Sequence, residues 1–580
     1  AVFNDVHVLL KQWLKKKWID GLRVDHPDGL RDPKTYLERL RALAPDLWLI
    51  VEKILQPEEE MPEDWPVEGT VGYEFLNQLN GLFIETKNEK ALLDFYFDFT
   101  GEPVDSGKMV REKKRLVLET LFTTEVNRLT DLLVQIASHR AVHQNFPREY
   151  LHEALVEFTA CFPIYRTYVR PSEEFVSESD VLYIEDATII AKRSRPDLSP
   201  ELFDFLKDLL LLLFHSEQEN EFVARFQQLT GPTMAKGVED TTFYCLNYFL
   251  SLNEVGGDPA KFGVNEDEFH EFCLKQQKQN PHTLIGTSTH DTKRSEDVRA
   301  RLNVLSEMPA EWSEAVLRWS KMNERYRKNH FPDRNIEYVL YQTLVGSWPI
   351  TPERLLAYME KASCEAKQHT DWNHRDAKYD AAIKDFAIAA LRDEEFTRDL
   401  EKFVRSLDEA AQINSLAQTL VKLTAPGVPD IYQGNEIWDF SLVDPDNRRP
   451  VDFAMRKSLL AEAKKLPVDE AWKLRGEGLP KLWLIQKTLA FRSQHEGVFS
   501  GSYEPIFPRG DNADRVVAFI RGGSVMTIVP RFTRSRVAEM PALHLPDGNW
   551  RNEFTEENFS GEVATSRILQ KFPVALLVRE

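Results

Sequence analysis

The run "GLRVDHPDGL" at 21–30 sets Asp25, His26 and Asp28 directly behind an alternating apolar stretch, with Arg23 two residues before Asp25. Side chains two apart on a strand share a face, so Arg23 and Asp25 point the same way. A second apolar run, "LWLIVEK" at 47–53, closes on Glu52 and Lys53. A third, "PHTLIGTSTHD" at 281–291, ends in His290 and Asp291, and "GVPDIYQGNE" at 427–436 ends near Gln433 and Glu436. Any one of these has a plain explanation, a helix cap or a solvated acid. Their recurrence at successive strand ends points to chemistry, because functional groups gather at the carboxyl face of a βα barrel. The chemistry that needs paired carboxylates is glycosyl transfer. One carboxylate attacks the anomeric carbon, the other hands a proton to the leaving oxygen, and a retaining enzyme holds them about 5 Å apart. The expectation is a buried Asp25 kept ionised by Arg23. Glu52 would be kept protonated by a drier setting or by neighbouring carboxylates.

The elements that must position these groups are short strands and long helices. A strand at 19–26, a helix at 33–43 and a strand at 47–53 make a βα repeat, which predicts a parallel sheet. The opening residues form a helix with Val6, Leu9, Leu10, Trp13 and Leu14 on one face, and no methionine precedes them. They read as the middle of a longer protein. Two helical blocks follow, at 89–229 and 309–423, separated by a return to strand pattern at 230–308. In the first block Ser199 is placed to cap, Pro200 suits the first helical turn and Gly231 closes the segment. A last strand and loop are expected at 424–475 and a small β domain at 476–580. That domain contains a hairpin turning at Gly522-Gly523 and a closing strand in "FPVALLVRE".

With 73 basic against 93 acidic residues the net charge is −20. That excess argues against nucleic acid or an anionic membrane as the partner and fits a neutral or cationic ligand. At 580 residues the chain is long enough for about two to four domains. The four cysteines, Cys161, Cys245, Cys273 and Cys364, show neither a CxxC pair nor metal spacing. They read as core thiols of a reducing compartment, so a cytoplasmic location is expected. No apolar run approaches the roughly 20 residues of a membrane span.

"GLRVDH", "IVEK" and "STHD" resemble, in order, the second, third and fourth signature regions of the α-amylase superfamily, glycoside hydrolase family 13. The resemblance implies an α/β fold: a (β/α)8 barrel of α-amylase type, its carboxyl-terminal part present, with large helical insertions and a C-terminal antiparallel β domain. It also implies Asp25 as nucleophile, Glu52 as general acid/base and Asp291 as the third carboxylate. Arg23 would support the nucleophile, His290 would hydrogen-bond the reacting sugar, and His26 would lie on the leaving-group side. The superfamily's first signature region, which precedes the nucleophile strand, has no counterpart in this chain.

Longer phrases narrow the likeness. "RVDHPDGLRDPKTYLERL", "GPTMAKGVEDTTFYCLNYFLSLNEVGGDP", "GTSTHDTKRSEDVRARLNVLSE", "TAPGVPDIYQGNEIWDFSLVDPDNRRPVDF", "WPVEGTVGYEFLN" and "FPIYRTYV" resemble maltooligosyl trehalose synthases. That family likeness implies an isomerase that turns the reducing-end α-1,4 bond of a maltooligosaccharide into an α,α-1,1 bond. Water must be excluded while the freed glucose is held, since a positioned acceptor acts at a large effective concentration. Candidates for that pocket are Lys236, Glu239, Asp240, Lys293 and Arg294, with Tyr244 as a stacking surface; Arg448 and Arg449 would take the next sugar along the donor. The reaction calls for no metal, nucleotide or redox cofactor. The expected partners are a maltooligosaccharide and the amino-terminal part of the same protein. An α-glucan hydrolase, a 4-α-glucanotransferase and a catalytically silent glucan-binding fragment remain alternatives at this point.

Overall fold

Strand Gly21–Val24 (β1) pairs in parallel with Trp48–Val51 (β2), Gly21 opposite Trp48 and Val24 opposite Val51. Gly69–Thr70 (β3) adds to β2, again in parallel. The computed structural model describes residues 2–140, 146–328, 330–534 and 540–580. It divides into a unit of Ala1–Val71, Asp105–Cys245 and Asp258–Ala260, and a second of Gly72–Val104, Leu246–Gly257 and Lys261–Glu580. In the first unit, the helix Pro33–Arg41 joins β1 to β2. The Asp32 carboxylate accepts the Thr35 amide at 3.0 Å, and Pro33 fills the first helical position, where no amide donor is needed. The helix buries Leu37 and Leu40 against Leu49, Val51 and Trp65. Both strands are shorter than the alternating pattern predicted. The backbone leaves the extended form at His26, whose φ is 43°.

The rest of the first unit is helical, built on a core that includes Leu133, Phe158, Phe203, Phe222 and Phe226. Burying each such side chain is worth about 1.5–3 kcal/mol. Two expectations fail here. Ser199 precedes the helix Pro200–Leu210, but its hydroxyl donates to the Glu201 carboxylate and caps no backbone amide. Gly231 does not stop the next helix, Glu217–Met234, which runs through it and through Pro232. The chain then continues as a π-helix over Ala235–Thr242. Pro232 has no amide to donate, and the Thr241 and Thr242 hydroxyls bond back to the carbonyls of Lys236 and Gly237 at 2.7 and 2.9 Å. Gly237 is required by crowding: a Cβ there would lie 2.6 Å from the Lys114 side chain on the crossing helix.

In the second unit, Leu284–Ile285 (β4) and Val428–Pro429 (β5) pair in parallel. The helix Glu394–Thr424 leads into β5 and starts on Asp393, whose carboxylate accepts the Glu395 and Phe396 amides. A buried ionic cluster lies within this unit. Lys481 contacts Glu296 at 2.6 Å and Asp297 at 2.8 Å, and Lys422 contacts Glu296 at 3.2 Å. Lys481 sits on a helix, Leu479–Gln494, within the 476–580 stretch whose pattern reads as a β domain. Leu482, Trp483, Ile485 and Phe491 are all buried, so the segment reads apolar on nearly every side. Lys481→Met is expected to lower stability by about 3–5 kcal/mol, because it takes the lysine from buried Asp297 and leaves buried Glu296 with Lys422 alone. Urea denaturation followed by circular dichroism measures it, and a loss below 1 kcal/mol would contradict the cluster's weight.

The strands proper begin at Tyr503–Ile506 (β6), followed by Val516–Arg521 (β7), Val525–Pro530 (β8), Ala542–His544 (β9), Trp550–Asn552 (β10), Asn558–Phe559 (β11), Glu562–Ala564 (β12) and Ala575–Arg579 (β13). Six of them form an antiparallel sheet in the order β11-β10-β13-β8-β7-β6. The β7–β8 turn uses Gly522 and Gly523, at φ 52° and 65°, a left-handed conformation that glycine adopts freely. The overall class is therefore mixed α/β, mostly helical, with a C-terminal antiparallel sheet. Among the described residues β1–β5 form a three-stranded and a two-stranded parallel sheet, and no closed eight-stranded barrel.

Candidate active site

Arg23 is the centre of the first group. One guanidinium nitrogen donates to Asp25 Oδ1 at 2.7 Å and the other reaches Glu52 Oε1 at 3.0 Å. The His26 amide donates to Glu52 Oε2 at 3.1 Å. The parallel register makes this possible: Val24 faces Val51, so Asp25 and Glu52 leave neighbouring strand ends together. The expectation of a buried Asp25 is corrected. Its side chain is 71% exposed, whereas that of Glu52 is 14% exposed. The carboxylate after β1 that is buried is Asp28.

The two environments separate the acids. Asp25 is held below the usual carboxylate range by hydrogen bonds to Glu52 and Arg23. Burial, together with the hydrogen bond to Asp25, pushes Glu52 up to about 7. One carboxyl is thus an anion and its neighbour carries a proton near neutrality, the division that nucleophile and general acid require. The folded state holds the Glu52 proton more tightly than the unfolded chain does. Stability is therefore lost as pH rises from about 4.5 to about 7, and the loss is complete above that range. Glu52→Gln removes this ionisation, so its urea midpoint is expected to exceed wild type at pH 8 and to match it at pH 5. The gap is on the order of 3 kcal/mol. Equal pH dependence in the two proteins would contradict the assignment.

Other candidates of the first unit gather on or beside the π-helix. Lys236 is half-exposed and pairs with Asp240 at 2.6 Å. Glu239 is buried and accepts the Tyr165 hydroxyl. Tyr244 is buried three residues further on than Thr241. Sequence reasoning missed Lys53, a fully buried cation 2.6 Å from Glu59, because a lysine following a strand reads as a solvated charge.

In the second unit, His290 Nε2 contacts Asp291 Oδ2 at 3.0 Å and Arg448 Nη2 donates to Asp291 Oδ1 at 3.0 Å. Arg448 Nε also donates to the His290 carbonyl at 3.1 Å. Asn447 donates to the carbonyls of His290 and Thr292, both at 3.2 Å, so the loop carrying Asp291 is held from the "DPDNRRP" segment. Behind Asp291 the chain turns inward. The amides of Lys293 and Arg294 donate to the buried Glu254 carboxylate at 2.6 and 3.2 Å, and Arg299 donates to it at 2.9 Å. Lys293 and Arg294 are themselves buried, Arg294 donating to the Tyr358 hydroxyl at 2.7 Å. Glu254 is a second residue that sequence reasoning missed. Glu436 pairs with Arg456 at 2.8 Å, and Arg449 pairs with Asp446 at 3.0 Å.

Among the described residues no cluster of three or more His, Cys, Asp or Glu is arranged to hold a metal ion. No described helix is long and apolar enough to cross a membrane.

No family model matches the chain. A Mycobacterium tuberculosis protein provisionally assigned as a maltooligosyl trehalose synthase is 33% identical over 592 residues, an alignment spanning 100% of this chain and 72% of that relative. The maltooligosyltrehalose synthase of Arthrobacter ramosus superposes with a TM-score of 0.89 at 33% identity, over 100% of this chain and 72% of its own. A hypothetical maltooligosyl trehalose synthase of Sulfolobus tokodaii gives a TM-score of 0.79 at 31% identity, over 100% and 71%. With that identity sustained over its whole length, the chain belongs to the maltooligosyl trehalose synthase family.

Proposed function

We propose that this protein converts the reducing-end α-1,4 linkage of a maltooligosaccharide into an α,α-1,1 linkage by a retaining double displacement inside one bound chain. Asp25 attacks the anomeric carbon next to the last glucose, and Glu52 gives its proton to the departing oxygen. The glycosyl group then rests on Asp25 as an ester. The freed glucose turns over, its anomeric hydroxyl attacks the ester, Glu52 takes the proton, and Asp25 leaves as a carboxylate. In this reading Asp291 is the third carboxylate, gripping sugar hydroxyls with His290 beside it. Arg448, half-exposed beside Asp291, takes the next sugar along the donor chain. Lys236, Glu239 and Tyr244 belong to the pocket that retains the glucose. Strands β1–β5 are then read as strands of an α-amylase-type (β/α)8 barrel, supported by the parallel pairing within β1–β3 and within β4–β5 and by the acids after β1, β2 and β4.

The observation that carries the proposal is the split pair: an anionic Asp25 and a proton-bearing Glu52 bridged by Arg23, on a chain of this family. Four buried thiols fit a reducing compartment such as the cytoplasm. Product analysis on maltopentaose tests the function. Loss of reducing ends without shortening of the chain supports isomerisation. New short reducing sugars would assign a hydrolase or a 4-α-glucanotransferase, and binding without turnover would assign a silent glucan-binding protein.

A further inference from the structure

Lys53 follows Glu52 directly, yet its ammonium group is fully buried. It stands 2.6 Å from Glu59 and 3.8 Å from Asp28. A buried cation is tolerated only when paired, and removing one partner leaves a costly lone charge. Here the two partners come from different places. Asp28 lies on the loop that leaves β1 after Asp25, and Glu59 on the segment that leaves β2 after Glu52. The lysine thus ties together the two loops that carry the paired acids.

A second segment grips the same point from the helical side. The Tyr168 hydroxyl donates to Asp28 Oδ1. The buried Arg166 guanidinium donates to the carbonyls of Asp28 at 2.7 Å, Leu30, and Arg31 at 3.1 Å. This stretch belongs to no sheet, and side chains satisfy its backbone instead. Gln227 accepts the Val169 amide at 2.8 Å and donates to the Val169 carbonyl at 3.0 Å, while Asp180 accepts the Tyr168 amide at 2.9 Å. Gln228 holds the Gly29 carbonyl at 2.9 Å. Three residues before Tyr168, Tyr165 donates to Glu239 of the π-helix. The phrase "FPIYRTYV" therefore joins the loop behind the nucleophile, the segment behind the acid and the π-helical turn.

We infer that Tyr168, Asp28 and Lys53 form a bracket that fixes the relative placement of Asp25 and Glu52, and thereby sets how much of the glycosyl intermediate is lost to water. The inference rests on the transglucosylase reading above. These three are positioning residues, acting through the loops and through the His26 amide, two residues before Asp28, that donates to Glu52. In either exit from the intermediate the ester bond to Asp25 breaks, the attacking oxygen bonds the anomeric carbon, and its proton passes to Glu52. Only the acceptor differs, water or the retained glucose. A loosened bracket admits water between the acids that Arg23 bridges.

The test uses Tyr168→Phe and Asp28→Asn, which keep the packing, alongside Lys53→Met. Three quantities are read on maltopentaose: kcat, the ratio of released glucose to trehalose-capped product, and the pH profile. The fourth is the titration of the Glu52 carboxyl by NMR on isotope-labelled glutamate, assigned with Glu52→Gln. Tyr168→Phe is expected to lower kcat about tenfold and to raise the glucose share. Lys53→Met is expected to lower kcat by about a hundredfold or to fail to fold. In Tyr168→Phe and Asp28→Asn the Glu52 midpoint should fall from about 7 toward the ordinary carboxylate range as water reaches it. A reduced kcat with unchanged glucose share and unchanged midpoint would overturn the bracket, as would no change at all. Wild-type protein that forms no trehalose-capped product, or Glu52→Gln that keeps turning over, would overturn the transglucosylase reading instead. The carboxyl titration would then decide on the bracket alone.

Discussion

Asparagine in place of Asp25 is expected to lower kcat by roughly 10^4- to 10^6-fold while leaving the fold intact. The amide oxygen is a poor nucleophile and the negative charge that faces the developing oxocarbenium ion is gone. The loss cannot be ascribed to unfolding, because Asp25 is 71% exposed and its side chain meets only the polar groups of the site, Arg23 and Glu52 among them. Thermal melting should therefore stay close to wild type while maltopentaose turnover disappears. A variant that retains more than about a hundredth of wild-type kcat would remove Asp25 from the role.

Glutamine in place of Glu52 is expected to cost about 10^2- to 10^4-fold on maltopentaose, the range for a missing general acid. The loss depends on the leaving group. With α-maltosyl fluoride, fluoride departs without a proton, so the first displacement should approach the wild-type rate. The second displacement still lacks its base, and the intermediate should accumulate. In the wild type, the acid must be protonated and Asp25 ionised, which gives a bell-shaped kcat/KM with its alkaline limb near pH 7. That limb should be absent from the fluoride reaction. A Glu52→Gln variant equally slow on both substrates would contradict the acid role.

The pair that carries these predictions was legible because strand periodicity is local. Arg23 and Asp25 are two residues apart, and Glu52 ends the next apolar run, so their meeting follows from a parallel pairing of adjacent strands. The state of the pair was less legible. The sequence placed the desolvated charge on Asp25, but the chain turns out of the sheet at His26, leaving Asp25 to solvent and Glu52 inside. The bracket was out of reach for a different reason. Asp28 and Tyr168 are 140 residues apart, and Lys53 and Glu59 read as surface charges until their partners are seen. Glu254 gathers amides from Lys293 and Arg294, about forty residues away, and is hidden in the same manner. Boundaries failed where helix formers and breakers compete: Gly231 and Pro232 look like a stop, yet packing carries the helix through them into the π-turn. The helix Leu479–Gln494 lacks a polar stripe, which made it resemble the strands that follow. The β7–β8 hairpin was readable because two adjacent glycines between β-rich runs permit few other conformations.

The most direct measurement is to incubate the Glu52→Gln protein with α-maltosyl fluoride, digest it with pepsin and locate the sugar by mass spectrometry. A maltosyl increment on the peptide containing Asp25, and its absence in the Asp25→Asn, Glu52→Gln double variant, is the predicted result. A label on Asp28, Asp291 or any other carboxylate, or none while fluoride is released, would contradict it.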